Sequence, residues 1–107
     1  MANVLVSDSA WQDLSGDDQS SVLSAVSQTF GYDVSSSSDG VPLTAMDSAN
    51  SATPTGSNPA CEGDCLTLKT NCLSICDGMQ DPKVHDACVT VCWASYGICL
   101  VQCAAGI

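Results

Sequence analysis

Apolar positions recur with a helical period most clearly in the last third of the chain, where all the cysteines lie. They stand at Cys61, Cys65, Cys72, Cys76, Cys88, Cys92, Cys99 and Cys103. Each half of this set has the spacing 4, 7, 4, and eleven residues separate the halves. On a helix that advances about 100° per residue, the four cysteines of one half fall within roughly 60° of one another. The pattern therefore predicts two helices, each with a cysteine stripe along one face.

Antiparallel packing of the two helices places every cysteine opposite one partner. The predicted pairs are Cys61–Cys103, Cys65–Cys99, Cys72–Cys92 and Cys76–Cys88, which one register satisfies. A disulfide requires Cα atoms about 5.5–6 Å apart, so the helices must approach closely. The four disulfides together form a ladder between the helices. Parallel packing is the alternative, because the spacing 4, 7, 4 is symmetric and also pairs every cysteine. The connection would then have to run back along about 22 Å of helix. Short connections favour antiparallel neighbours, so we expect the nested ladder.

The residues between the two stripes support a compact turn. Gly78 is suited to the end of the first helix. Asp81 is a good N-cap, and Pro82 is suited to the first helical position. We expect the first helix to start near Pro59 or Ala60 and to end at Gly78, and the second to run from about Pro82 to about Ala104. The predicted fold class is therefore all-α, a disulfide-stapled antiparallel helical hairpin.

The first sixty residues predict at most one helix, over residues 16–30. Ser15 and the acidic residues after it form a helix-start signal. Its apolar stripe and the residues just before it are Trp11, Leu14, Val22, Leu23, Val26 and Phe30. Serines dilute this stripe, so the helix is marginal by itself. It is either a recognition element for a partner, to which these six residues would belong, or a weak surface helix.

The chain divides near residue 60. Residues 1–60 contain seven aspartates and no basic residue, and they are rich in serine and proline. Residues 34–60 have the composition of a linker, which cannot form a core. We therefore expect an acidic, mostly disordered region over 1–60 and a cysteine-rich hairpin over 61–107.

Net charge restricts the partners and raises a question about the compartment. The 107 residues include two lysines and no arginine, and the net charge is −10. Nothing could neutralise phosphates, so nucleic-acid binding is excluded. No secretory signal and no spanning helix are predicted, yet disulfides belong in oxidising compartments. Either residues 1–60 direct a different export route from the cytoplasm, or the cysteines stay reduced and hold metal.

The second helix is apolar almost all round. Trp93, Tyr96, Ile98 and Leu100 point away from the sulfur stripe and are expected to form an exposed apolar face. Such a face indicates a partner, an oligomer or a membrane. The alternative is that the N-terminal helix packs back on the hairpin.

The sequence contains no recognisable set of catalytic residues, so we predict that the protein is not an enzyme. No Ser/His/Asp arrangement and no glycine-rich phosphate loop is visible, and His85 stands alone in the turn region. No cofactor is expected if the cysteines are bridged. If they are reduced, the eight thiolates could bind Cu(I) or Zn. Lys83 beside Pro82 suggests a further alternative, a loop presented to a trypsin-like protease.

The inner half of the ladder, Cys72-x3-Cys76-x11-Cys88-x3-Cys92, resembles the α-hairpinin motif. That family comprises plant antimicrobial and protease-inhibitor peptides and related scorpion toxins. The twin C-x3-C also resembles small chaperones of the mitochondrial intermembrane space, which implies a binding module as another alternative. The outer cysteines depart from both families.

The overall layout resembles precursors of ribosomally synthesised, post-translationally modified peptides, including bacteriocins. These have an acidic, cysteine-free leader before a compact cysteine-rich core. Gly56 and Ser57 are similar to a cleavage site of the double-glycine type. The resemblance implies a leader recognised by maturation and export machinery, and a secreted antimicrobial or toxin-like hairpin whose target is a protein or a membrane.

Overall fold

The computed structural model describes residues 3–37, 56 and 58–105. The elements, in chain order, are β1 (Asn3–Ser7), α1 (Asp8–Gln12), α2 (Gly16–Thr29), β2 (Asp33–Ser37), α3 (Pro59–Asp77) and α4 (Pro82–Ala105). Helices dominate the described residues, and the two longest form an antiparallel hairpin held by four disulfides. The predicted fold class is confirmed.

The ends of α3 and α4 follow the local signals in the sequence. The side chain of Asn58 accepts a hydrogen bond of 3.3 Å from the backbone N–H of Cys61, and Pro59 occupies the first turn. Gly78 directly follows α3. The Asp81 carboxylate then accepts a hydrogen bond of 3.0 Å from the backbone N–H of Lys83 at the start of α4. These contacts satisfy backbone donors that have no partner within the helices.

Residues 3–37, here called the N-terminal unit, form a small β-α-β arrangement. β1 and β2 pair in parallel, with Val4 opposite Val34. Helices α1 and α2 make the connection that a parallel pair requires. Ser15 caps α2 by accepting a 3.1 Å hydrogen bond from the backbone N–H of Asp18. The predicted helix over 16–30 corresponds to α2.

The N-terminal unit holds more regular structure than its composition indicated, because β1, α1 and β2 accompany the predicted helix. Two five-residue strands are marginal in isolation. Here the inward-facing Val4 and Val6 are fully buried in a core shared with the hairpin, which supplies the missing stability. The rest of the region predicted to be mostly disordered, which comprises residues 1–2, 38–55 and 57, lies outside the described residues.

Helix α4 lies at the centre of the fold. It packs against α3 and also against α2 and β1. Six consecutive residues of α4, 87–92, are buried. Six residues complete more than one helical turn, so every direction around this part of α4 is covered. This explains why the helix is apolar on all sides.

Candidate functional site

The disulfide ladder has the predicted nested register. Its bridges are Cys61–Cys103, Cys65–Cys99, Cys72–Cys92 and Cys76–Cys88, with Cα separations from 5.6 to 5.8 Å. These separations lie within the usual range for a disulfide. Each bridge joins α3 to α4 in the antiparallel register and leaves no cysteine free, so the parallel alternative is wrong. The helical spacing of the cysteines, together with the short connection between the two stripes, predicts this part of the site.

The bridges are arranged in two close pairs. The Sγ atoms of Cys65 and Cys103 belong to different bridges but lie 3.5 Å apart. The Sγ atoms of Cys76 and Cys92 show the same relationship at 3.5 Å. The long step of seven residues between Cys65 and Cys72 separates the two pairs along α3. The ladder is therefore two sulfur clusters, one at each end of the hairpin.

Each cluster also contains three sulfurs close enough to share a metal ion after reduction. The sets are Cys61, Cys65 and Cys103, and Cys76, Cys88 and Cys92, with sulfurs within 4.8 Å of one another in each set. Thiolates, not disulfides, bind Cu(I) or Zn. The metal-binding alternative therefore requires that the bridges first be reduced.

Burial differs along the ladder. Cys72, Cys76, Cys88 and Cys92, which form the cluster near the turn, are fully buried. At the open end of the hairpin, Cys61 and Cys99 are partly exposed. Solvent therefore reaches the two outer bridges more readily than the two inner ones.

The expected apolar face of α4 is largely covered, which corrects the sequence prediction. Tyr96 and Leu100 are 4% and 5% exposed, so the prediction of exposure is wrong for both. Trp93 and Ile98 are half-buried against the core. Phe30 of the N-terminal unit packs against the cluster that contains Tyr96 and Leu100. The N-terminal unit instead packs against α4, which is the alternative that the sequence analysis gave for this pattern.

A lysine closes one side of this cluster. The Nζ atom of Lys69 on α3 lies 4.1 Å from the centroid of the Trp93 ring and 4.9 Å from that of Tyr96. The two rings meet edge to face with centroids 5.9 Å apart. The aromatic faces attract the ammonium group, while the lysine stem covers apolar surface.

The six residues predicted for leader recognition lie on the N-terminal unit, mostly turned toward the hairpin. Leu14, Val22 and Val26 are buried in the shared core. Trp11 and Phe30 are partly buried against it, and Leu23 is half-buried. Most of the stripe is therefore engaged within the molecule. Its recognition by a maturation partner stays a prediction.

Gly56, in the predicted cleavage region, contacts the first turn of α3. It is exposed and has a φ of +79°, a conformation that glycine adopts without steric cost. Its backbone N–H is 3.2 Å from each carboxylate oxygen of Glu62, which is itself buried. Ser57 lies outside the described residues. The region therefore adjoins the hairpin directly.

The two polar residues considered for other roles lie near the turn. The imidazole nitrogens of His85 lie 3.7 Å from the carboxylate of Asp77 and 3.6 Å from that of Asp86. Lys83 belongs to the first turn of α4 and forms an ion pair with Asp13 of the N-terminal unit. A helical, paired lysine does not resemble the extended loop that a protease binds, so it gives the inhibitor alternative no support.

One described helix, α4, is long and apolar enough to cross a membrane by length and composition alone. Its mean hydropathy reaches 1.6 over an 18-residue window, of which 56% is buried within the molecule. A core helix of a soluble protein meets the same criterion. The sequence predicts α4 as a helix but not as a spanning one, because polar residues such as Thr90 and Gln102 interrupt its apolar run.

Comparisons with known proteins add no relative: no family model, no curated protein and no solved structure matches the chain. The site is therefore interpreted from its own chemistry. Its two main features are a buried disulfide ladder and an apolar helix covered by the N-terminal unit.

Proposed function

We propose that the protein is the precursor of a disulfide-rich antimicrobial or toxin-like peptide, with a leader over residues 1–60 and an active hairpin over 61–107. One observation carries this proposal. All four bridges close between residues 61 and 103, and none connects to the N-terminal unit. A cut between residues 37 and 58 would therefore release a hairpin with every cross-link intact.

The ladder would stabilise the released hairpin. A segment of fewer than fifty residues buries too little apolar area to stay folded without staples. A bridge that closes a ring of roughly 15 residues contributes on the order of 3 kcal/mol in the chain-entropy model. The bridges restrain the separated helices whether or not the N-terminal unit is attached. Such a design suits a peptide that acts outside the cell.

The leader would guide maturation and export of the core from the cytoplasm by a non-Sec route. Its recognition residues would be the stripe Trp11, Leu14, Val22, Leu23, Val26 and Phe30. Most of these side chains contact the hairpin, so a maturation partner would have to compete with the hairpin for them. Leu23 and the outer edges of Trp11 and Phe30 offer the first contact. Cleavage would occur near Gly56 and Ser57.

Mass spectrometry of the natural product tests the proposal. We expect the active form from producing cells to begin near residues 56–60 and to have a mass about 8 Da below that of the reduced sequence, because each of the four bridges removes two hydrogens. Growth inhibition by this form, and none by the same form after reduction and alkylation, would agree. An active form that retains the full chain would contradict the proposal.

A thiolate protein that binds Cu(I) or Zn is the second candidate. The two three-cysteine sets favour it, since each gathers ligands that soft metals prefer. Material purified without oxidation from the cytoplasm would then hold metal and free thiols. Bridged, metal-free cysteines in that material would count against this function.

A further inference from the structure

The part of α4 that faces away from α3 is an apolar surface that the N-terminal unit covers. Val4, Val6, Val22 and Val26 share one core cluster with Val91 and its neighbours on α4. Thr90 lies roughly opposite the cysteine stripe of α4, about 140–180° from its members, and is only 1% exposed. The surface opposite the ladder is therefore covered at this level.

This surface carries no charge over a long stretch. From Ala87 to Ala105, 19 residues of α4 include no acidic, basic or histidine side chain. At 1.5 Å per residue the stretch is about 28 Å long. The charged residues of α4, Lys83 and Asp86, lie in its first two turns. The face of α4 opposite the cysteine stripe is therefore uncharged from Ala87 to the end of the helix, both where the N-terminal unit covers it and beyond.

The hydroxyl groups of Thr90 and Ser95 on this helix form hydrogen bonds within the helix. Thr90 Oγ1 donates a hydrogen bond of 2.8 Å to the backbone oxygen of Asp86. Ser95 Oγ donates one of 2.8 Å to the backbone oxygen of Val91. Neither hydroxyl therefore needs a donor or acceptor from outside the helix. This arrangement suits an environment without water.

The ladder fixes a charged helix on the other side of this apolar one. Four charged residues of the hairpin, Glu62, Asp64, Lys69 and Asp77, belong to α3. The hairpin is thus amphipathic at the level of whole helices, with α3 as the charged helix and α4 as the apolar one. An amphipathic unit of this kind can lie in the plane of a membrane interface.

We propose that the face of α4 opposite its cysteine stripe, part of which residues 3–37 cover, is the surface with which the released hairpin binds an uncharged membrane surface. This inference rests on the proposed function, because the whole face becomes available only after the leader is removed. Five acidic residues and two lysines leave residues 61–107 with a net charge of −3, so anionic lipid would repel the hairpin. Trp93, at the side of the face, is a residue type that favours the lipid–water interface.

The N-terminal unit would then act as a cover as well as a leader. It buries the apolar face and brings further acidic residues, with no basic residue among positions 1–60. Both effects keep the uncleaved precursor away from the membranes of the producing cell.

A vesicle-binding experiment tests the proposal on the folded, oxidised full chain. A recognition sequence for a specific protease is inserted into the segment 38–55, and Trp11→Phe leaves Trp93 as the sole fluorescent indole. Before cleavage, we expect no flotation with phosphatidylcholine vesicles. After cleavage and separation of the two pieces with the bridges intact, we expect the hairpin to float with the vesicles and the Trp93 emission to shift to the blue.

Two substitutions identify the face. Val101 lies opposite the cysteine stripe of α4, beyond the part of the face that the N-terminal unit covers, and is 69% exposed. Val101→Asp therefore leaves the precursor fold intact while placing a charge on the proposed face. We expect vesicle affinity of the cleaved hairpin to fall about tenfold or more. Leu66→Asp is the matched control, because Leu66 is an exposed apolar residue on α3, with 47% exposure. It should change the affinity by less than about threefold.

Several outcomes would overturn the proposal. Equal losses for the two variants would indicate nonspecific hydrophobic binding. Vesicle binding by the uncleaved chain would show that the N-terminal unit covers nothing relevant. A separated hairpin that dimerises without binding vesicles would assign the face to a second copy. A separated hairpin that stays monomeric and does not bind the vesicles would show that the face does not bind lipid.

Failure of the vesicle-binding proposal can be distinguished from failure of the proposed precursor function, because the experiment uses an introduced cleavage site and does not depend on natural cleavage. Vesicle binding by the cut hairpin, together with an uncleaved natural product, would contradict the precursor function and keep the binding face. Natural cleavage and growth inhibition without vesicle binding would support the precursor function and contradict the membrane-binding face.

Discussion

The hydroxyl group of Tyr32 donates a hydrogen bond of 3.1 Å to Oε1 of Gln102, seventy positions further along the chain. Tyr32 lies between α2 and β2, and Gln102 lies in the last turns of α4. The ring of Tyr32 also stacks on Phe30, with centroids 5.4 Å apart. This polar contact therefore attaches the N-terminal unit to the open end of the hairpin, far from the ion pair between Lys83 and Asp13 near the turn.

Attachment through Tyr32 predicts a loss of stability in alkaline solution. Burial raises the pKa of the Tyr32 phenol above its ordinary value of 10.0. The folded state therefore keeps the phenol protonated where the unfolded state ionises it. The stabilisation is fully present below about pH 10 and is lost as the pH rises through the folded-state pKa. We expect the urea midpoint for release of the N-terminal unit to fall above about pH 10.

Tyr32→Phe is the control, because it keeps the ring and removes the ionisable group. Its urea midpoint should decline less with pH than that of the parent chain. Identical pH profiles for the two proteins would show that Tyr32 does not contribute to the alkaline transition.

Packing between the N-terminal unit and the hairpin predicts a cavity effect at Val26. This side chain is fully buried in the shared core. Val26→Ala should lower the free energy of unfolding by about 2 kcal/mol, through lost burial and the space left behind. The ladder would keep the hairpin closed, so the loss should show as earlier release of the N-terminal unit. Urea unfolding followed by tryptophan fluorescence measures it.

Val101→Ala provides the matched comparison, because Val101 is mostly exposed on α4. It should change the unfolding free energy by no more than about 0.5 kcal/mol. If Val26→Ala lowered the free energy of unfolding no more than Val101→Ala does, the N-terminal unit would contribute little to the stability of the fold.

The burial gradient along the ladder predicts the order of chemical reduction. The two bridges near the open end, Cys61–Cys103 and Cys65–Cys99, each include a partly exposed cysteine. The two near the turn are fully buried. Limited treatment with a phosphine reductant should therefore open the outer two first. Alkylation of the freed thiols and peptide mapping would identify them, and early labelling of Cys76 and Cys88 would be the contrary result.

Lys69 predicts a measurable cation–π contribution. Its Nζ atom lies over the rings of both Trp93 and Tyr96. Lys69→Gln should lower the unfolding free energy by about 1 kcal/mol and change the fluorescence of Trp93. Lys83→Gln removes the exposed ion pair with Asp13 and should cost no more than about 0.5 kcal/mol. Equal costs would indicate that the aromatic contact adds nothing to a surface charge effect.

The sequence by itself determined the helical hairpin and its register. The cysteine spacing matches the helical repeat, and a disulfide tolerates only a narrow range of Cα distances, so one antiparallel register satisfies all four pairs. Capping residues such as Ser15 and Asp81 determined where helices begin, because they act on backbone groups a few positions away. These are local or covalent constraints.

Only the tertiary structure decided what covers α4 and whether β1 and β2 form. Val4 and Val34 belong to strands too short to be stable by themselves, and their pairing depends on a hairpin more than twenty residues further along the chain. The pattern around Tyr96 and Leu100 showed that α4 is apolar on several sides. It could not show that Phe30 packs against them, because burial depends on contacts between distant parts of the chain, which local periodicity does not encode.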